Sequence, residues 1–432
     1  SSLIFYSLTI DNILNIIVLL ILAGVSIAML TGDNGILNKA TTAKQKTEET
    51  TAEERVKLEV GGSFDNTGKY NTDLAKENLE NHLGAIVTKN EDGSLGVTYE
   101  GYDFKIDING EVSEANYFKL SIISDTDQGE HTLGIDEQGN LWAWGRNENG
   151  ELGNGTTTRS SSIPVQIKEG TKFKKVGSGH WYSLAIDEQG NLWAWGYNRN
   201  GQLGDGTTTN SSIPIQIKEG TKFKEVSAGV SYSLAIDEQG NLWAWGYNRN
   251  GQLGDGTTTN SSIPIQIKEG TKFKEVSAGL YHSLAIDEQG NLWAWGDNRY
   301  GQLGDGTTTN SSIPIQIKEE TKFKEVSSRY YSTLAIDEQE NLWAWGNNRG
   351  YGHLGNEIND NISIPTQIMV GIKVKEVAMG SASGGRPYSV VIDIEGNVWT
   401  AGSNWYGQLG RKTDEYFSGM KSSYTFQRIE IN

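Results

Sequence analysis

The chain is predicted to be α+β overall, in three successive parts: a long N-terminal α-helix over residues 1–62, a small α+β connector over 63–115, and an all-β propeller over 116–432. Three observations carry this reading. An uncharged apolar run lies near the start, a repeat of about 50 residues runs from 116 to the end, and each repeat carries tryptophan beside a turn motif. The length, 432 residues, exceeds what one hydrophobic core supports and agrees with more than one folded unit.

The first part rests on Ile13 to Leu30, ILNIIVLLILAGVSIAML, which contains no charge. As an α-helix it spans roughly 27 Å, close to the thickness of a bilayer core. Its aliphatic side chains outweigh the cost of Asp11 at its edge, so insertion into lipid is favourable. Gly32, Asp33, Asn34 and Gly35 follow Thr31 and break the helix locally. Helix then resumes from Ile36 to about Val60 and stops at Gly61 and Gly62.

The stretch IIVLLILAGVSIAMLTGDNGILNKA, residues 16–40, resembles the N-terminal helix of Gram-positive, clostridial-type type IV pilin-like proteins. That resemblance implies a helix extracted from the membrane and packed into a filament core. It places the assembly contacts at Ile16, Ile17, Val18, Leu19, Leu20, Ile21, Leu22 and Gly24, and puts Asp11 where an acid pairs with the neighbouring subunit's terminal amine. The start, Ser1 to Tyr6, departs from the family's usual mature start.

In the connector, a helix is predicted over about Thr72 to Leu83, capped by Gly84. Alternating runs near Ala85–Thr88 and Val97–Ile108 follow, with Asn109 and Gly110 as a hairpin turn. YEGYDFKIDINGEV, residues 99–112, resembles the small sheet that follows the helix in the same pilin-like family.

From residue 116 six units follow one another, and residues 190–229 recur unchanged as 240–279. Within each unit SLAID, EQGN and LWAWG read as strand, turn and strand, while IPIQIK and FKEVSAG supply two more, which makes a four-stranded blade. LWAW is apolar throughout, as expected of a strand covered on both faces by neighbouring blades. Packing is therefore the expected role of the tryptophan pairs, each pair burying on the order of 8–12 kcal/mol of gross apolar surface. The units GNLWAWGYNRNGQLGDGTT resemble the regulator of chromosome condensation repeat family, whose members fold as propellers, commonly of seven blades. The ring has six blades on this count, or seven if the 85–112 hairpin completes it.

Composition and motifs exclude several chemistries. With 37 basic against 54 acidic side chains, and no stripe of Lys or Arg, nucleic acid is not an expected partner. The absence of cysteine removes disulfides, thiolate metal sites and Cys nucleophiles. His131 and His282 occupy repeat positions filled by Tyr182 and Tyr232 elsewhere, an exchange that fits packing and not catalysis or metal ligation. Asp187, Asp237, Asp287 and Asp337 precede each EQGN or EQEN turn and fit Asx-type backbone contacts. No catalytic residue, metal or cofactor is implied. Asn154, Asn210, Asn260, Asn310 and Asn361 stand in N-x-[ST] contexts and are candidate glycosylation sites.

The expected function is accordingly a structural subunit of an extracellular type IV pilus-like filament, not an enzyme. Its first partner is itself, as a homopolymer through the N-terminal helices. The cytoplasmic membrane holds it before assembly, and the displayed propellers contact a surface glycan or protein ligand. The alternative is a membrane-tethered propeller adhesin or protein-binding module, or a minor or tip pilin.

Overall fold

The computed structural model describes residues 50–64, 69–90, 92–100, 102–114, 119–124, 130–382, 386–405, 407–411, 416–417 and 420–429. The chain divides into two compact units, Ser1–Phe118 and Lys119–Asn432.

In the first unit, helix α1 covers residues 50–61. Ala52, Val56 and Val60, spaced four apart, form its buried stripe. Helix α2, Thr72–Asn78, starts where the Asn71 side chain accepts from the amides of Asp73 and Leu74. It runs into a single π-helical turn, Leu79–Leu83, and ends at Gly84 in the left-handed conformation, φ 65°. Four strands, β1 (Ile86–Lys89), β2 (Leu95–Tyr99), β3 (Tyr102–Ile106) and β4 (Val112–Glu114), form an antiparallel sheet in chain order. The predicted Asn109–Gly110 turn joins the last two; Asp107 Oδ1 accepts from the Asn109 and Glu111 amides, and Gly110 takes φ 84°. Leu95, Val97, Phe104 and Ile106 meet the α1 stripe in one core.

The predicted long apolar helix is not part of this picture. The apolar run 13–30, Asp11, the assembly residues Ile16–Leu22 and Gly24, and the break at Gly32–Gly35 all lie outside the described residues. Among the described residues no helix is long and apolar enough to cross a membrane. The β-propeller of the predicted fold class is present, with seven blade-like sheets among the described residues, one in the first unit and six in the second, in keeping with the expected six or seven; the long N-terminal helix is not seen among them.

Six of the sheets lie in the second unit and carry the repeats: blade 1 (Leu120–Ile167), blade 2 (Phe173–Ile217), blade 3 (Phe223–Ile267), blade 4 (Phe273–Ile317), blade 5 (Phe323–Ile368) and blade 6 (Val374–Arg428). Each is an antiparallel meander whose strands run from inner to outer in chain order; blade 6 adds the short hairpin strand Tyr416–Phe417. Register within blade 2 pairs Leu184 with Ala194 and Ala185 with Trp193, and the same offsets recur in blades 3, 4 and 5. The outer strands carry Pro164, Pro214, Pro264, Pro314 and Pro365, which the edge of a sheet tolerates because its outward N–H has no ladder partner to lose.

The two tryptophans of each LWAW strand do different work. Trp195, Trp245, Trp295 and Trp345 are fully buried, and each indole N–H crosses to the preceding blade, donating to the carbonyl of Glu151, Gln202, Gln252 or Gln302 at 2.8–2.9 Å. A glycine of that preceding blade lies flat on each indole: a Cβ on Gly204 would sit 2.7 Å from Trp245 Nε1. Trp193, Trp243, Trp293 and Trp343 are half-buried, pack against the core of the preceding blade, and keep their hydrogen bonds within their own, donating at 2.9 Å to Asp187, Asp237, Asp287 and Asp337. Lys168, Lys218, Lys268 and Lys318 stand over these second rings, 3.8–4.4 Å from their centroids, each in the left-handed backbone region.

Candidate functional site

Successive strands are antiparallel, so the turns from inner to second strand and the loops from third to outer strand share one end of each blade. The EQGN turns and the connections between blades share the other. That second end is nearly the same in blades 2–5 and the connections leading into them, where Glu320 and Glu340 alone replace a connection glycine and a turn glycine. Asp187 Oδ1 accepts from the Asn191 amide at 2.8 Å and Oδ2 from the Asn191 side chain and Trp193, so the carboxylate is spent on the turn, as the Asx reading anticipated. Asp237, Asp287 and Asp337 do the same.

The first end differs from blade to blade. Residues 182–229 recur unchanged as 232–279, yet the preceding turn reads His180–Trp181 in blade 2, Val230–Ser231 in blade 3, Leu280–Tyr281 in blade 4 and Tyr330–Tyr331 in blade 5. The facing loop reads Tyr197, Tyr247, Asp297 and Asn347 at its first position. These residues form an arc of partly buried aromatic rings. Trp181 meets Tyr197 edge-on at 5.7 Å, Tyr247 meets Tyr281 at 5.9 Å, Tyr281 meets Tyr331 at 6.5 Å, and Tyr331 also contacts Tyr300 at 4.8 Å and Tyr330 at 4.7 Å. Arg146 lies over Trp181 at 4.6 Å. Trp181 and Tyr330 take φ 71° and 56°, an uncommon and strained backbone state for aromatic residues. Partial burial pushes the Tyr331 hydroxyl up to about 12.

A central channel of about 680 Å³ runs along the inner strands of the six blades, between rows of Lys and Glu. Glu275 bridges two blades there, accepting from the Val326 amide at 2.8 Å, and burial pushes its carboxyl up to about 7. Glu325 repeats the bridge to Val377, its carboxyl likewise raised by burial.

Of the residues singled out from sequence, His131 and His282 are buried packing groups bonded to Ser183 Oγ (2.9 Å) and Thr333 Oγ1 (3.3 Å). Burial holds them neutral, lowering them to about 3 and about 4. Asn210 and Asn260 are exposed, their Oδ1 atoms accepting from the Asn198 and Asn248 amides; Asn310 does the same for Asn298, and Asn154 and Asn361 are half-buried. Among the described residues no group of three His, Asp or Glu side chains is placed to hold a metal ion. The sequence reading passed over the aromatic arc. Its signal was present: within nearly identical repeats, change collects at the turn residues 180–181, 230–231 and 280–281 and, in blade 4, at the loop residues 297 and 300.

A family model described as the RCC1-like domain matches residues 86–425. The chain belongs to the RCC1-like domain family. The ultraviolet-B receptor UVR8 of Arabidopsis thaliana is 41% identical over 78 residues, 18% of this chain and 18% of that protein. The mitochondrial RCC1 domain-containing protein RUG3 of the same plant is 36% identical over 80 residues, again 18% of each chain. The matched stretch is thus less than a fifth of these curated relatives. Among solved structures, Prp20p from Saccharomyces cerevisiae, reported with its binding to Gsp1p and histones, aligns at TM-score 0.59 and 20% identity over 75% of this chain and 77% of that one, which shows the shared fold.

Membership in the RCC1-like family corrects the functional expectation. The family match takes in most of the chain, and the relatives are named as a receptor and a mitochondrial protein. The assignments as a pilus subunit, as a homopolymer through N-terminal helices with a membrane stage, and as an extracellular surface filament are set aside. The repeat resemblance stands; the pilin resemblance does not carry the function.

Proposed function

We propose that this RCC1-like propeller is a protein-recognition module of regulatory type, and that the arc of aromatic rings at the variable end of blades 2–5 is its contact surface. The observation that carries the reading is the confinement of change: strands, seams and the far turns repeat, while Trp, Tyr and Arg collect at one end. Those residue types dominate binding energy at protein interfaces, because they bury large area at low entropic cost. A receptor among the relatives, and a structural neighbour reported with protein partners, support the same class. No catalytic step belongs to this reading.

The test is photo-crosslinking in the native source, with a benzophenone amino acid at position 281 and, as a control, at the exposed position 239 on the opposite end. Adducts to a partner protein are expected from 281 alone. Equal labelling from both positions, or none from either, overturns the proposal.

The N-x-[ST] sites remain a separate proposal, favoured by the exposure of Asn210 and Asn260. Intact-mass measurement of native protein is expected to show added hexose-type mass removed by Asn210→Gln and Asn260→Gln; a bare-chain mass ends it.

A further inference from the structure

The exposed arginine of the loop between third and outer strand recurs as Arg199, Arg249, Arg299 and Arg349 in blades 2–5. Two of the four are neutralised at home. Arg299 Nη2 pairs with Asp297 Oδ2 at 2.8 Å, and Arg349 Nε with Asp360 Oδ1 at 2.9 Å. In blade 1, Arg146 is held by Glu130 and Glu148. Blades 2 and 3 carry Tyr197 and Tyr247 where blade 4 has Asp297, so the carboxylate that would hold the guanidinium is replaced by a ring. Among the described residues Arg199 and Arg249 form no ion pair, and both are exposed.

The aromatic arc is interrupted in blade 3. Tyr247 packs against Tyr281 of the following blade, whereas Tyr197 meets Trp181 of its own blade, and the place in the following blade that corresponds to Tyr281 is position 231. That position is Ser231, whose carbonyl accepts from the Tyr247 amide at 2.9 Å and whose side chain is too small to fill the place taken by Trp181, Tyr281 or Tyr331 elsewhere. The result is a notch at Ser231 in the row of rings, on the same end of the blades as Tyr197, Tyr247 and the exposed Arg199 and Arg249.

We propose that this notch, together with Tyr197, Tyr247, Arg199 and Arg249 of the same end, binds an acidic segment of a partner protein, a claim that rests on the protein-recognition reading above. Two guanidinium forks suit carboxylates, which they take in bidentate fashion, and tyrosine faces suit the flanking apolar side chains and peptide planes. A polyphosphate backbone is a poorer match, because the arginines are two isolated groups and not a stripe. Position 231 sets the register, since a larger residue there closes the notch.

The experiment uses the full chain and fluorescence anisotropy with four labelled probes: a ten-residue peptide alternating Glu and Leu, its Gln and Lys counterparts, and a single-stranded DNA of matched length. The Glu peptide is expected to bind saturably and at least tenfold tighter than the Gln peptide, weakening further as salt rises. Arg199→Glu with Arg249→Glu should weaken it tenfold or more, and Ser231→Trp should do so with both arginines intact. All three positions lie at the surface end of a blade, and an unchanged melting temperature confirms folding. Unaltered Glu-peptide binding in both variants, or tighter binding of the Lys peptide or of DNA, overturns the proposal. Crosslinking from position 281 separates the two levels: if it captures a protein partner that still binds the double-arginine variant, the recognition reading survives and the acidic notch does not.

Discussion

Individual side chains set the sensitivity of this fold to pH. His131, His282 and His353 are buried and lowered to about 3, 4 and 3, while in the unfolded chain they titrate near 6.5. The unfolded chain therefore binds more protons below that value, so stability they contribute is present above pH 6.5 and is lost as pH falls toward 4 and 3. His282→Tyr, which copies the group used at Tyr182 and Tyr232, is expected to reduce the acid loss measured by urea unfolding between pH 7 and 4.5. Glu275 works in the opposite sense. Its folded carboxyl is raised to about 7 from an ordinary 4.5, so the folded state holds the proton and stability declines as pH rises between those values. Glu275→Gln keeps an acceptor for the Val326 amide, and the variant's advantage over the parent should grow from pH 5 to pH 8; a constant difference would show that the carboxyl is not buried uncharged.

Elements show how far the residues alone could be read. The blades were legible because a turn motif and an apolar strand return at a fixed spacing, and because LWAW lacks the alternation of a one-sided sheet. The division of labour inside LWAW was not. Nothing in the run says that the Trp193 N–H answers to Asp187 of its own blade while that of Trp195 answers to Glu151 of the one before; two residues apart, both rings share one face of the strand, and only the folded positions of the two acceptors tell them apart. The seams make a prediction at this scale. Trp245→Phe removes one inter-blade hydrogen bond and should cost about 1–2 kcal/mol, whereas Gly204→Val, which drives side-chain atoms into the indole, should cost more than the roughly 3 kcal/mol typical of large core defects. Equilibrium unfolding measures both; equal costs would mean that the seam yields. The variable end stayed hidden for a related reason. Turn residues carry no periodicity, so Trp181 and Tyr281 look like loop filling until the strands bring them to one rim.

At the scale of the molecule, a near-uniform scaffold supports a non-uniform end, and family membership places that arrangement among RCC1-like propellers. The chain's apolar start suggested a filament because residues 16–40 resemble the N-terminal helix of pilin-like proteins, yet a resemblance over one short stretch does not outweigh a domain that spans 86–425. A recognition module of this build should tolerate change at its two ends unequally. Tyr331→Ala, at the centre of three ring contacts, is expected to weaken partner binding at least tenfold while moving the melting temperature by only a few degrees. Gln239→Ala at the opposite end should leave both alone; comparable effects from the two would place the contact surface elsewhere.

The unbroken identity of 182–229 with 232–279 reaches beyond mechanics. Blades 2, 3 and 4 meet through interchangeable seams, Gly204 on Trp245 and then Gly254 on Trp295, so one whole unit can be spliced out or duplicated and the new junction is chemically an old one. Each such event would slide the serine gap and its two arginines to a different bearing on the rim, altering what the surface grips without asking the framework to be reinvented.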